Sequence, residues 1–339
     1  MPSEIKLAFV GCGGIAPSHL SGIKEMCPRI RITACVDPVV ERAEAIAAEA
    51  GGAEVFASFD EALDRGDFDA VDLMLPHDLH EPFAIQSLQA GKHVLLEKPI
   101  AHSLEAADRI LDAAARADTM FMIAENAQYV PEVVTVRKLI HDGCIGEAIT
   151  ARANFSAQHD DFWYTEREPW RCDNARAGGG AVIDGGAHWI RPLRMWMGEI
   201  DEVVGTLDYP VGHVEGESLA RALIRFRSGR IGAFDAIVHP GVRGADYWWL
   251  VSGSKGEILV DAHFARGVML FTDEHPDGLQ VMAKQGFEKS YGSELLDFSR
   301  AILEGKELKA TAEYAMGELR TARALYRSAE TRQWEKVWD

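Results

Sequence analysis

Apolar runs and helix-spaced segments alternate along the first third of the chain. IKLAFV is followed by a helical pattern from about Ile15, RITACV by PVVERAEAIAAEAG, and DAVDLML by a helix ending near Ala90 and Gly91. KHVLL, a helix from about Ser103 to Ala117, and TMFMIA continue the rhythm. Short apolar runs separated by amphipathic helices predict βαβ units on a parallel sheet. Beyond Asn126 the pattern changes. A helix over about Val133 to His141 leads into longer strands of alternating polarity, such as EAITARANFSAQ, SLARALIRFRS and RIGAFDAIVH. That alternation suits a mostly antiparallel sheet with one solvated face. Two helices, over about Ser293 to Leu303 and Ala312 to Arg327, close the sequence. No repeat, low-complexity tract or long polar linker interrupts it, so the division expected is 1–124 and 125–339, tightly joined.

A length of 339 residues with 47% hydrophobic positions supports two cores and excludes a disordered chain. The excess of 53 acidic over 35 basic residues gives a formal charge of −18. Such a surface repels nucleic acid and anionic lipid, so neither is an expected partner. The five cysteines (Cys12, Cys27, Cys35, Cys144, Cys172) are scattered without CxxC spacing, which argues for reduced thiols and a cytoplasmic location. The first strand starts within a few residues of Met1, leaving no room for a secretory leader, and no apolar run is long enough to span a bilayer.

Directly after the first strand stands GCGGIA, with Gly11, Gly13 and Ala16 at the GxGxxG/A positions and Cys12, Gly14 and Ile15 between them. Strand before, helix after and Asp37 about twenty residues on complete a dinucleotide cradle: a tight turn, close backbone approach to pyrophosphate, and a carboxylate for the adenine-ribose hydroxyls. The fold expected is therefore α/β, an N-terminal Rossmann doubly wound parallel sheet with a C-terminal α+β domain on an open, mostly antiparallel sheet. Asp37 repels a 2′-phosphate, and Pro38 and Val39 offer nothing to hold one, so NAD is favoured over NADP. Arg42, one turn into the next helix, is the group that could reverse this. Cys12 is expected to contribute its backbone amide.

LPHDLHEPFAIQSLQAGKHVLLEKPI runs from the end of one predicted strand to the end of the next, and both ends border the ligand crevice of an open parallel sheet. Glu97 and Lys98 project toward it. A lysine there can hydrogen-bond a substrate hydroxyl, or form a surface ion pair. His77 and His80 make an HxxH pair, but no third ligand with recognisable spacing accompanies them, and no metal is expected. His159 to Asp161 reads as a solvated turn. Further on, AGGGAVIDGGAHWIRPLRMW clusters glycines around Asp184 and His188, which suggests close backbone approach. If Asp184 opens a helix, Asp184, His188 and Arg191 share one face; alternatively Asp184 is a helix cap and His188 an incidental neighbour.

Taken together, GCGGIA, LPHDLHEPFAIQSLQAGKHVLLEKP, NAQYVP and WRCDNARAGGGAVIDGGAH resemble, in order and spacing, the segments of the glucose-fructose oxidoreductase / inositol dehydrogenase / rhizopine-catabolism (Gfo/Idh/MocA) family over nearly the whole chain. The resemblance implies hydride transfer between nicotinamide and a secondary hydroxyl carbon of a sugar, glycoside or cyclic polyol, and a homo-oligomer, dimer or tetramer. It implies that Leu75, Pro76, His77, His80, Glu97 and Asn126 line the cofactor, with Trp170 and Arg171 beside the nicotinamide. Lys98, Asp184 and His188 would be the catalytic group: His188 the base, Asp184 its orienting partner, Lys98 the stabiliser of developing alkoxide or itself the proton acceptor. Tyr164, Arg171 and Asn174 would also meet substrate. Three departures stand out. His77 replaces a common asparagine, Ala127 and Gln128 stand where arginine is frequent, and Arg191 stands where many members carry Asp; it would suit a carboxylated sugar, or turn away to pair with an acid such as Glu199 or Asp201, or bond neutral hydroxyls, and a neutral substrate is the favoured reading. Relatives also include enzymes that cleave glycosides through transient oxidation, non-catalytic sugar sensors, and reductases of biliverdin or dihydrodiols.

Overall fold

A computed structural model describes residues 3–158, 169–241, 247–261 and 266–338. In chain order these form β1 (Ile5–Val10), α1 (Ala16–Met26), β2 (Ile30–Val36), α2 (Val40–Glu49), β3 (Glu54–Phe56), α3 (Phe59–Arg65), β4 (Ala70–Leu73), α4 (His80–Gln89), β5 (His93–Glu97), α5 (Leu104–Arg116) and β6 (Phe121–Ala124). Then follow α6 (Pro131–His141), β7 (Ala148–Gln158), α7 (Asn174–Ala177), α8 (Ala187–Met197), β8 (Ile200–Asp208), β9 (Leu219–Phe226), β10 (Ile231–His239), β11 (Tyr247–Gly253), β12 (Gly256–Asp261), β13 (Gly267–Thr272) and β14 (His275–Met282). Helices α9 (Glu288–Glu304) and α10 (Ala312–Thr331) and the short β15 (Glu335–Lys336) end the chain.

The first sheet has the order β3-β2-β1-β4-β5-β6, every pairing parallel. Its central strands are apolar on both faces, as strands covered by helices on both sides must be. β4 is wholly buried and yet contains Asp72. Side-chain caps set two helix starts: Ser58 Oγ accepts the Glu61 N–H before α3, and Ser103 Oγ accepts the Ala106 N–H before α5. β3 and α3 escape a periodicity reading because three and seven residues are too few to display a period.

The second sheet runs β14-β13-β12-β11-β7-β10-β9-β8-β15. It is antiparallel except where β10 lies parallel to β7. Along β9, Ala220, Ala222, Ile224 and Phe226 are buried while Arg221 and Leu223 face outward, the expected alternation. Trp189 of α8 packs on Phe155 of β7 with ring centroids 4.9 Å apart.

The chain forms two compact units, Met1–Asn126 with Glu288–Met316, and Ala127–Phe287 with Gly317–Asp339. This departs from a continuous split at 124/125, because α9 returns to the first unit. The reason is local: α1 and α9 meet through glycines. A Cβ on Gly22 would lie 2.5 Å from the Gly292 nitrogen, and one on Gly292 would lie 2.7 Å from Met26 Sδ. Helical periodicity reports that α9 has a buried face, not which unit receives it.

Replacing Gly22 by Ala gains about 1 kcal/mol of helix propensity. Its methyl, however, must displace backbone rather than a flexible side chain, and overpacking of that kind costs about 1–3 kcal/mol. We expect net destabilisation, read as a lower urea midpoint for Gly22→Ala at unchanged slope.

Candidate active site

In the first unit, the order of the sheet reverses between β1 and β4, where an open α/β sheet offers its crevice. The loop after β1 requires Gly11: φ is +90°, and a Cβ would sit 2.2 Å from the Met74 carbonyl oxygen at the end of β4. The first turn of α1 follows with no side-chain cap. Its N-terminal amides and the glycine-rich loop suit a pyrophosphate. Asp37, buried after β2, accepts the Cys12 N–H at 2.9 Å on Oδ2 and the Val39 N–H at 2.8 Å on Oδ1. The Cys12 amide is thus committed within the protein, which corrects the expectation that it meets the cofactor. Each Asp37 oxygen retains acceptor capacity for a ribose hydroxyl. Glycine loop, uncapped helix and carboxylate together fit a dinucleotide. Arg42 is exposed on α2.

Leu75 and Pro76 follow β4 and are half-buried. His77 and His80 pack edge to face with ring centroids 5.5 Å apart. Both are buried, and both His80 nitrogens face backbone carbonyls, Nδ1 2.8 Å from the Pro99 oxygen and Nε2 2.9 Å from the Leu75 oxygen, a neutral ring donating to one of the two. His80 therefore splices the loop after β4 to the one after β5 rather than presenting nitrogen to a cofactor, a correction to its expected role. Burial, only partly offset by those carbonyls, pushes the ring's pKa down. The Lys98–Pro99 bond is cis. Asn126 donates to Ser290 Oγ at 3.0 Å.

Glu97 leads to a cluster absent from the sequence reading. Its Oε2 accepts the Lys98 backbone N–H at 3.0 Å, and its Oε1 lies 3.0 Å from His19 Nε2. His19 Nδ1 lies 2.7 Å from Asp72 Oδ2, and Glu294 Oε1 lies 3.8 Å from His19 Nε2. His19, Asp72 and Glu294 are fully buried. Burial alone would lower the His19 pKa, but Asp72 and then Glu97 hold the ring's proton well above the usual range. Burial raises Asp72 despite His19, and raises Glu294 strongly, with Glu97, Asp72 and Glu125 adding to it. Two signals were available in the sequence. His19 falls with Ala16, Leu20 and Ile23 on the buried stripe of α1, and Asp72 is a charge in an apolar strand.

In the second unit, Arg171 stacks over Trp170 with Cζ 4.1 Å from the ring centroid and donates from Nε to Asp184 Oδ2 at 3.1 Å. Asp184 is buried and precedes α8, which begins at Ala187, so it does not open that helix; His188 is its second residue and half-buried. The His188 ring meets Phe287 edge to face at 5.7 Å. Pro192 lies inside α8 and removes the N–H that would bond to the His188 carbonyl.

The glycines around Asp184 approach protein. A Cβ on Gly180 would lie 2.0 Å from the Glu217 carbonyl oxygen, and one on Gly185 would lie 2.2 Å from the Phe155 ring. Glu217, also missed in the sequence, is the loop's anchor. Its carboxylate accepts the Gly180 N–H (2.8 Å), the Val182 N–H (2.8 Å) and the Tyr326 hydroxyl (3.1 Å). Burial pushes its pKa up, against those donors.

Arg191 is corrected. It is fully buried and forms a two-pronged pair with Glu318 at 2.9 and 2.8 Å, with Nη1 on Gln128 Oε1 at 2.8 Å. Arg194 also bonds to Glu318 and to Glu199. The guanidinium ties α8 to α10 and does not face a substrate. Asn174 is exposed, its backbone N–H on Glu215. Tyr164 and His159 to Asp161 lie outside the described residues. Among the described residues, no helix is long and apolar enough to cross a membrane.

Two outcomes follow from these anchors. Glu217→Gln leaves one buried donor without its acceptor, at about 1–3 kcal/mol, measurable as a lower denaturant midpoint. For pH, folded Glu294 keeps a proton that the unfolded carboxyl loses above about 4.5. The His19 contribution is full below the ring's usual 6.5 and is lost as pH rises through its raised folded value. In both cases the native state binds more protons, so stability from this cluster falls as pH rises. The thermal midpoint of Glu294→Gln relative to the unaltered protein should therefore climb steadily between about pH 5 and pH 8; a constant difference would refute it.

The sequence matches a family description, oxidoreductase family with NAD-binding Rossmann fold, over residues 5–125, and the C-terminal domain of the same family over residues 133–259. It is 28% identical over 244 residues to levoglucosan dehydrogenase of Pseudarthrobacter phenanthrenivorans, covering 65% of this chain and 59% of that one. It is 24% identical to myo-inositol 2-dehydrogenase of Thermotoga maritima, covering 98% of each. Its fold superposes on a Thermotoga maritima oxidoreductase with TM-score 0.85 at 27% identity, covering 98% of each chain. It also superposes on levoglucosan dehydrogenase in complex with NADH and levoglucosan with TM-score 0.86 at 22% identity, covering 99% of this chain and 100% of that one. With both domain descriptions matched in order, and the glycine cradle and second sheet in place, the chain belongs to the Gfo/Idh/MocA oxidoreductases and carries their NAD-binding Rossmann domain.

Proposed function

We propose that the protein is an NAD-dependent dehydrogenase acting on a secondary hydroxyl of a neutral sugar, glycoside or cyclic polyol. The observation that carries this reading is the Trp170–Arg171–Asp184 chain, with His188 at the start of the following helix, in a protein whose other unit holds the dinucleotide cradle and Lys98. The nicotinamide supplies the hydride-accepting carbon. His188 takes the hydroxyl proton, an imidazole being able to accept a proton at one ring nitrogen while the other donates. Asp184, itself held by Arg171, orients the reacting group, and Lys98 stabilises the developing alkoxide. The names of the relatives support a sugar or cyclic polyol as the substrate class. A neutral substrate is favoured because the guanidinium that would have recognised a carboxylate is committed to Glu318.

Asp37 favours NAD, because its carboxylate repels a 2′-phosphate. We read the outward face of the second sheet, with Leu223 and Ile231 about half exposed on adjacent strands, as the surface on which copies of the chain associate.

A screen of sugars, inositols and uronates with NAD and NADP, read by absorbance of the reduced cofactor, tests the reading. Turnover of a neutral polyol, with kcat/KM at least about tenfold higher for NAD, is the expected result. Release of an aglycone without net NADH would instead mark oxidation-driven cleavage. Lys98→Ala, Asp184→Ala and His188→Ala should each lower kcat by about 100- to 10,000-fold while NAD binding, followed by fluorescence, stays within severalfold. A folded His188→Ala protein with ordinary turnover would move the base assignment to Lys98.

A further inference from the structure

With Asp72 and Glu97 ionised, the buried cluster beside Lys98 is satisfied by only one state of the His19 ring. Its two nitrogens face two different carboxylates, Nδ1 toward Asp72 of β4 at 2.7 Å and Nε2 toward Glu97 of β5 at 3.0 Å. A neutral imidazole has one N–H, so one of these contacts would oppose a lone pair to a carboxylate oxygen. An imidazolium donates to both. Glu294 of α9 lies 3.8 Å from Nε2, and Glu97, Asp72 and Glu125, the last buried just after β6, all oppose its ionisation. Tyr291 of α9 packs on the ring at 5.5 Å. Neither oxygen of Glu294 has a hydrogen-bond partner, although the residue is fully buried. A carboxyl in that position is cheapest as the neutral acid.

We propose that His19 is a standing imidazolium and a positioning residue for Lys98, acting through Glu97. With Oε1 held by His19 and Oε2 accepting the Lys98 N–H, the Glu97 carboxylate cannot turn, and the lysine's backbone is fixed from the β5 side. His80 grips the next residue through the Pro99 carbonyl. The lysine backbone is thus held on both sides, at its own amide through Glu97 and at the following carbonyl through His80. The clamp's effect on catalysis rests on the proposed role of Lys98; the charge on His19 and the hold on the Lys98 amide do not.

Two measurements on the intact, NAD-loaded protein are independent of any substrate. In protein labelled with ¹⁵N-histidine, the ring signals that vanish in His19→Gln should show both nitrogens protonated at about pH 7.5, above the usual 6.5 of the ring. A neutral tautomer at that pH overturns the proposal. Amide exchange of the segment carrying Lys98 should quicken at least about tenfold in His19→Gln, and unchanged exchange overturns the positioning role. Should His19→Gln fail to fold, Glu97→Gln, which removes one of the two acceptors, gives the same exchange readout with His19 in place. With a substrate in hand, His19→Gln should lower kcat by about 10- to 100-fold while KM for NAD stays within about threefold, since the ring touches neither pyrophosphate nor ribose partners. Equal losses in both, or in neither, count against it. The His19, Glu97 and Glu294 ligand atoms lie within 4.8 Å of one another, so elemental analysis completes the test. A stoichiometric divalent cation that is lost in His19→Gln would show that metal, not the imidazolium proton, balances the carboxylates, and would overturn the proposal.

Discussion

A carboxylate inside a fully buried strand must be given either a cation or a proton, and Asp72 imposes that constraint on the first unit. Four elements converge on the solution. β4 supplies Asp72, α1 supplies the ring that pairs with it, β5 supplies Glu97 on the ring's other nitrogen, and α9 closes the group with Glu294 and Tyr291. Removing one member of such a group leaves an unbalanced buried charge, which costs more than the pair contributes. The geometry at the end of β5, where the lysine sits, is inherited from this balance.

The second unit uses the same device without a cation. Glu217 is buried, yet its oxygens are satisfied by two loop amides and a tyrosine hydroxyl. A loop with so little side chain would otherwise have many conformations. Three acceptor bonds from one carboxylate, with Phe155 and the Glu217 backbone filling the space that side chains would occupy, select one. In both units a carboxylate fixes the main chain beside a candidate reacting group.

Much of the architecture was legible beforehand. The parallel sheet and its helices follow from apolar runs and amphipathic spacing, and Gly11 and Asp37 stand where strand–turn–helix grammar places them. What escaped depends on contacts distant in sequence. The helix α9 was readable as a helix but not as part of the first unit, because the Gly22–Gly292 approach links residues 270 positions apart. Arg191 shared a helical face with His188 in projection, yet Glu318 from α10 captures it, and no local pattern announces that partner. The glycines near Asp184 pointed to a close backbone approach, expected toward the nicotinamide; the approaches present in the fold are to Glu217 and Phe155. His19 and Asp72 were each visible as polar residues in apolar surroundings, and only their pairing required three dimensions.

The return of α9 also orders events during synthesis. The strands and helices of the Rossmann unit are complete by Asn126, but the helix that covers α1 and supplies Glu294 and Tyr291 emerges only after the second unit's sheet has been translated. Until then α1 lacks the helix that meets it at Gly22, and the Asp72–His19–Glu97 group lacks the Glu294 and Tyr291 that pack on its ring. The arrival of α9 then supplies both at one step, making the nascent unit's final stability depend on a segment some 160 residues downstream.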